Sequence, residues 1–158
     1  MAARKQRNKG YIALELVIAC FLLTLLGTFL IGESQSYINY YQKQQVKTAA
    51  NILADDIRLL QQQSLFGDGI LNRQIKFMSD NNGYGFYVDR KVTKRVYFSD
   101  LGCEDVYLAR KMTMVQYTNT GSPSYNGTIV LKHKDLPGYS YTLAVQPVTG
   151  RVVINETK

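Results

Sequence analysis

The chain has 158 residues, of which 46% are hydrophobic and 20% are charged, so it has room for one modest domain and an anchor. Its formal net charge is +7, from 19 basic and 12 acidic side chains. Four of the basic residues lie in a short N-terminal head, and without them 15 basic side chains remain against 12 acidic ones. The formal charge therefore overstates how basic the domain is, and it is no argument for a nucleic-acid partner.

The head is followed directly by an apolar segment, Tyr11 to Gly32, that contains a single charge, Glu15. As a helix with a rise of about 1.5 Å per residue, this segment covers the hydrocarbon core of a bilayer, about 30 Å thick. Basic residues beside a membrane helix hold that end in the cytoplasm, so we expect the domain outside. The cations of the head are Arg4, Lys5, Arg7 and Lys9.

The carboxylate of Glu15 is the unusual feature of this segment. A charge in lipid costs roughly 2.5 to 3.5 kcal/mol or more, so an acid at this place indicates a functional residue that something must neutralise.

Gly10, Tyr11 and Glu15 resemble the N-terminus of the type IV pilin superfamily, in which a basic leader ends in Gly and Glu stands five positions after the cut. The resemblance implies that a prepilin peptidase cleaves between Gly10 and Tyr11 and methylates the new amine of Tyr11. It also implies that Glu15 pairs with that amine on a neighbouring subunit and sets the axial register. The family usually has Thr where this chain has Ile12.

Three other interpretations of the segment remain open. A secretory signal peptide has an apolar region of about 7 to 15 residues without an acid, and this segment is longer. Val17-Ile18-Ala19-Cys20 resembles a lipobox, but mostly apolar residues follow Cys20 where a lipoprotein would turn polar. The third is a plain membrane anchor, which needs no cleavage.

Glu33 to Phe66 is predicted to continue as an amphipathic helix, because apolar residues recur at spacings of three and four. This apolar stripe consists of Val46, Ala49, Ala50, Leu53, Ile57 and Leu60. The turn residues Phe66-Gly67-Asp68-Gly69 are predicted to end the helix.

The remainder is predicted to form strands joined by short turns, which implies antiparallel pairing. The expected fold class is α+β and pilin-like: a long helix, with a membrane-spanning first half, packed on one C-terminal antiparallel sheet. The predicted parts are a leader, 1–10; a membrane segment, 11–32; an amphipathic helix, 33–66; and a β domain, 67–158. The predicted strands are Arg73 to Met78, Tyr84 to Val88, Val92 to Phe98, Lys111 to Thr118, Thr128 to Lys132, Tyr139 to Val145 and Arg151 to Ile154.

The closing segment, Val145 to Ile154, resembles the last hairpin of the minor pseudopilins of type II secretion and of the minor pilins of type IV pili and competence machines. In that branch the hairpin commonly turns at a Gly-Arg pair, here Gly150-Arg151. By analogy with that branch, Arg151 is a candidate DNA contact. Some relatives have a second Arg where this chain has Val153, which weakens that analogy.

Acids, cysteines and the single histidine give further candidates. Ca²⁺ is one candidate ligand for the acids Asp100, Glu104 and Asp105. Because these acids lack the alternating spacing of a dedicated Ca²⁺ loop, an ordinary acidic turn is the favoured interpretation. His133, between two lysines, is predicted to lie at a solvated strand end. Cys103 is predicted to be a buried small apolar residue without a disulfide.

Cations interleaved with tyrosines favour a solvated surface over a phosphate-binding face, because strand alternation scatters them over two faces. They are Arg90, Lys91, Lys94, Arg95, Arg110 and Lys111, with Tyr87, Tyr97 and Tyr107 among them.

The sequence contains no Gly-rich phosphate loop, metal-ligand cluster or nucleophile elbow, so we expect neither an enzyme nor a cofactor nor a metal. The predicted function is a minor pilin or pseudopilin, held in the cytoplasmic membrane by one span and then moved into a periplasmic or cell-surface filament. The implied partners are prepilin peptidase, other pilins or pseudopilins and an inner-membrane assembly platform. The alternative is a membrane-anchored binding module, which captures DNA or a secreted protein without polymerising.

Overall fold

The structure, a computed structural model, describes residues 4–67 and 72–157, except for the side chains of residues 4–10 and 29–34. Helix α1 spans Arg4–Phe66 and has 63 residues. The chain divides into two compact units, a first that ends at Tyr40 and a second that runs from Tyr41 to the C-terminus.

In the second unit, the helix presents its apolar stripe to the β strands. Every residue of the predicted stripe from Val46 to Leu60 is buried, and Ala54 joins it. The helix ends at Phe66, where the Gly67 N–H donates to Gln63 O (3.0 Å). Arg73 donates from Nη1 to the same carbonyl at 2.7 Å, which places a cation at the negative end of the helix dipole.

Two antiparallel sheets pack with this helix, each with four described strands. Sheet A has the order β3-β2-β1-β5, and sheet B has the order β4-β6-β7-β8. The strands are β1 (Arg73–Phe77), β2 (Gly83–Val88), β3 (Lys91–Tyr97), β4 (Val106–Arg110), β5 (Met114–Gln116), β6 (Gly127–His133), β7 (Leu136–Val145) and β8 (Val152–Thr157). Along the chain, strand β4 of sheet B comes before strand β5 of sheet A.

The core is one continuous cluster formed by the helix stripe and the inward faces of both sheets. Ile75 at the centre of β1 and Val115 on β5 are directly opposite each other and fully buried. On sheet B, burial alternates along β6, with Ile129, Leu131 and His133 directed inward. This period of two is the pattern of a strand with one buried face.

The predicted fold class, α+β with a long helix on antiparallel strands, is confirmed. The prediction of a single sheet is wrong, because the strands divide between two sheets. Strand β4 is not among the predicted strands, because acids and a glycine precede its short alternation of Val106 and Leu108. Leu136-Pro137-Gly138 was expected to separate two strands and instead begins β7. Proline is tolerated near the start of a strand, where no ladder N–H is required.

Candidate functional site

In the first unit, helix α1 carries an apolar surface from Tyr11 to Thr28. These 18 residues have a mean hydropathy of 2.1, and no part of the segment is buried. Within the described ranges, this is the one helix whose length and composition suit a bilayer crossing. An all-round apolar, exposed helix of this length is stable in lipid rather than in water.

The two threonine hydroxyls of the segment bond to its own backbone. Thr24 Oγ1 donates to Cys20 O (2.9 Å) or Phe21 O (2.8 Å), and Thr28 Oγ1 donates to Leu25 O (2.8 Å). Such bonds satisfy a polar group where no water is present. These threonines therefore need no partner from another chain.

Glu15 differs from them. It is exposed and is the single charged residue between Tyr11 and Thr28, and no side chain that the structure describes bonds to its carboxylate. Tyr11, 73% exposed, precedes it by four residues and so shares its face of the helix. Gly10 lies in the helix, and the side chains of the leader cations Arg4, Lys5, Arg7 and Lys9 lie outside the description. The cleavage expected between Gly10 and Tyr11 therefore remains a prediction.

In the second unit, the Gly150-Arg151 pair closes the turn between β7 and β8, directly after the turn residues 147–149. Gly150 has a φ of 66°, and its N–H donates to Gln146 O (3.0 Å), while Gln146 N–H donates to Arg151 O (3.0 Å). A Cβ at Gly150 would lie 2.6 Å from the ring of Tyr117 and 2.7 Å from Nε2 of Gln61. Both the backbone angle and the space therefore require glycine.

This turn is fixed to the C-terminal part of the helix. Gln61 Nε2 lies 2.9 Å from Gly121 O and 2.9 Å from Thr149 O, and donates to both. The Tyr117 hydroxyl donates to Gly150 O (2.8 Å), and burial raises the pKa of Tyr117 to about 12. The glycine of the pair thus has a structural role, and the exposed Arg151 is carried on a rigid turn.

The basic residues do not converge on one surface. Lys94 lies over the Phe86 ring, 5.9 Å from its centroid, on the side of sheet A that meets the helix, and so its neighbour Arg95 lies on the opposite face. Arg110 lies at the end of β4 in sheet B, and the Lys111 ammonium donates to Met78 O. The arrangement supports the solvated-surface interpretation.

His133 contradicts the prediction of a solvated strand end, because it is 2% exposed. Its Nε2 lies 3.2 Å from Oε1 of Gln45, and its Nδ1 accepts the Asp135 N–H at 3.1 Å. The signal that could have located it is the alternation Ile129, Leu131, His133 on one face of a strand.

Cys103 is buried, as predicted, and burial raises its pKa. Its Sγ lies 3.3 Å from Gln45 O, to which it donates. The candidate Ca²⁺ acids are not brought together: Asp100 and Glu104 are exposed, and Asp105 bonds instead to the Lys134 ammonium (2.9 Å). That bond holds the pKa of Asp105 below its usual value.

No protein-family model matches the chain, and no curated protein matches it significantly. Among solved structures, it is similar to the minor pseudopilin EpsH from the type 2 secretion system of Vibrio cholerae, with a TM-score of 0.55 and 12% identity. The match covers 71% of this chain and 97% of that one. At this identity the likeness establishes the fold, which is pilin-like.

Proposed function

We propose that this protein is a minor pilin or pseudopilin, a subunit that assembles through its N-terminal helix into a filament of a secretion, pilus or DNA-uptake machine. The observation that carries the proposal is Glu15: one exposed carboxylate in an apolar, span-length helix. The pilin-like fold, shared with a minor pseudopilin, supports it independently. The protein has no proposed catalytic role or cofactor.

The proposed sequence of events begins in the cytoplasmic membrane. The leader cations keep the N-terminus in the cytoplasm and the β domain outside. A prepilin peptidase cuts between Gly10 and Tyr11 and methylates the Tyr11 amine. The processed helix, moved by an inner-membrane assembly platform, then packs among the helices of other pilins or pseudopilins in a periplasmic or cell-surface filament.

Glu15 gives this assembly its register. A carboxylate and an ammonium group each lose hydration when they enter an apolar core, and pairing them offsets that loss. Removal of one partner leaves the other buried and unpaired, at a cost of about 3 to 5 kcal/mol. The carboxylate of one subunit and the amine of its neighbour therefore select one axial position.

The test is Glu15→Val, with Thr24→Val as the matched control. Both changes remove a polar group from the apolar helix, but the Thr24 hydroxyl bonds to its own backbone and needs no neighbour. We expect Glu15→Val to be processed normally, by N-terminal sequencing, and to lose crosslinking to the other pilin-like subunits. Thr24→Val should crosslink as the wild type does. Wild-type crosslinking of processed Glu15→Val would overturn the proposal.

Cleavage separates this function from that of a membrane-anchored binding module. Gly10→Leu should leave a precursor about ten residues longer and abolish assembly, since the Tyr11 amine would never form. A plain anchor would keep its activity without cleavage. N-terminal sequencing of native protein that began at Met1 or at Cys20 would contradict the proposed processing.

A further inference from the structure

Three side chains with metal-binding atoms meet at one corner of sheet B. Oxygens of Asp105 and Asp135 and the Nδ1 of His133 all lie within 4.8 Å of one another. The pairing of Val106 with His133 brings Asp105 beside the end of β6, and Asp135 follows in the turn to β7. Strand pairing therefore assembles a cluster that is dispersed in the sequence.

Gln45 orients the histidine toward this cluster. The Gln45 Nε2 donates to Gly102 O at 2.8 Å, so its Oε1 must be the atom facing His133. An amide oxygen only accepts, and Nε2 of His133 therefore carries the proton. The Nδ1 lone pair accepts the Asp135 N–H at 3.1 Å, a bond that a metal ion would have to replace, and the Asp135 Oδ2 lies 3.9 Å from the same nitrogen. A metal-binding histidine is commonly fixed in this way, by a hydrogen bond from its other nitrogen.

The cluster holds more negative than positive charge. Two carboxylates face a neutral imidazole, and the Lys134 ammonium, 2.9 Å from Asp105 Oδ1, offsets one of them. Among the described side chains, Gln42 donates from Nε2 to the Asp135 Oδ2 at 3.2 Å, and the Lys134 charge also acts on Asp135, although less than on Asp105. Lys134 and Asp135 are exposed, and Asp105 is half-buried, so their side chains can rearrange while the buried His133 stays in place.

We propose that Asp105, His133 and Asp135 bind a divalent transition-metal ion, and that this ion displaces Lys134 from Asp105 and, through a shift of the exposed turn at Lys134 and Asp135, the Asp135 N–H from Nδ1 of His133. One imidazole with two carboxylates suits Zn²⁺, whereas Mg²⁺ and Ca²⁺ prefer oxygen ligands alone. Tetrahedral ligands about 2.1 Å from Zn²⁺ lie about 3.4 Å apart, so the carboxylates must close by roughly 1 Å. The ion would cross-link the segment before β4 to the β6–β7 turn, and the site does not depend on the proposed filament function.

The test is calorimetric titration of Zn²⁺ into the full chain in detergent, without a histidine tag. All proteins carry Cys20→Ser, which removes the exposed thiol as a competing ligand. We expect one bound ion per chain, with affinity reduced tenfold to a hundredfold by Asp105→Asn and by Asp135→Asn. Asp100→Asn, an exposed acid close in sequence but outside the cluster, is the control and should not change the affinity.

A second test uses Lys134→Met, which we expect to raise the affinity for Zn²⁺. Because the competing ammonium is removed, Zn²⁺ should bind at least several-fold more tightly than to the wild type. Lys132→Met, whose ammonium donates to Pro137 O at 2.9 Å instead, should bind as the wild type does. Absence of Zn²⁺ binding at about 1 mM, unchanged affinity in both aspartate variants, or unchanged affinity in Lys134→Met would each overturn the site.

Discussion

The side-chain amide of Gln45 on α1 lies 3.2 Å from Nε2 of His133 at the end of β6, and it contacts a second element at the same time. Its Nε2 donates to Gly102 O at 2.8 Å, and the Cys103 thiol donates to the Gln45 backbone carbonyl at 3.3 Å. One helical residue therefore holds the end of a strand and the loop before β4. Gln61, about four helical turns closer to the C-terminus of α1, likewise donates from its Nε2 to Thr149 O, between β7 and β8.

We predict that Gln45→Ala lowers the free energy of unfolding by about 1 to 3 kcal/mol, because it leaves the buried Nε2–H of His133 without an acceptor. Chemical denaturation of the domain, followed by circular dichroism, measures this. Gln62→Ala, at an exposed position of the same helix, is the control and should stay within about 0.5 kcal/mol of the wild type. If the two variants were equally stable, the hydrogen bonds of Gln45 would make no net contribution to the free energy of unfolding.

Gly150→Ala should destabilise the domain by about 2 to 4 kcal/mol, since the residue has a positive φ and its Cβ would overlap Tyr117 and Gln61. Gly138→Ala is the matched change, because a Cβ at that glycine meets nothing within 4 Å. Thermal melts of the two variants should differ clearly. A wild-type melting temperature for Gly150→Ala would contradict the close contact between this turn and the helix.

Because buried tyrosines have raised pKa values, we predict that the domain loses stability at high pH. Burial raises the pKa of Tyr117 to about 12, and burial together with the bond to Asp56 raises that of Tyr84. A raised native pKa means that the unfolded chain releases its proton first, so stability is complete below about pH 10 and falls as pH rises above it. Each such group contributes a slope of up to about 1.4 kcal/mol per pH unit.

Denaturant titrations between pH 9 and 12 measure that slope. Tyr117→Phe should make it shallower, although the variant also loses the bond to Gly150 O. Tyr125→Phe, at a side chain 49% exposed, should keep the wild-type slope. A slope that Tyr117→Phe leaves unchanged would contradict the prediction.

We also predict that a fragment beginning at Glu33 is a soluble, folded monomer. The compact second unit begins only at Tyr41, and its core contains the whole helix stripe. The fragment should not need an oxidant, because Cys103 is its one cysteine. Size-exclusion chromatography and circular dichroism, with and without a reducing agent, test this. Aggregation, or unfolding on reduction, would count against it.

The features that the sequence predicts well are local ones. The span from Tyr11 and the stripe from Val46 to Leu60 depend on composition and helical period, which neighbouring residues determine. Turn residues likewise mark hairpins, such as the one at Asp89 and Arg90, which both have positive φ. Glu15 stands out for the same reason, as one charge in an apolar run.

Features that depend on long-range pairing are not predictable in this way. Periodicity does not show that β1 pairs with both β2 and β5, so the division into two sheets could not be foreseen. The meeting of His133 with Asp105 follows from the pairing of β4 with β6. Ligand spacing therefore could not bring together the proposed set of Asp105, His133 and Asp135, because Asp105 lies far along the chain from the other two.

The order of strands β4 and β5 has a consequence for how the domain acquires its structure. A chain synthesised from its N-terminus cannot complete sheet A until Gln116 is made, and by then it has already produced the first strand of sheet B. Sheet B in turn needs β8, which ends at Thr157. All strands of sheet A are made before β6 begins, whereas a chain that stops before β8 leaves Val145 and its neighbours on β7 paired on one side only, with β6. Among the described strands, β8 is therefore the last to be added, at the edge of sheet B beside β7.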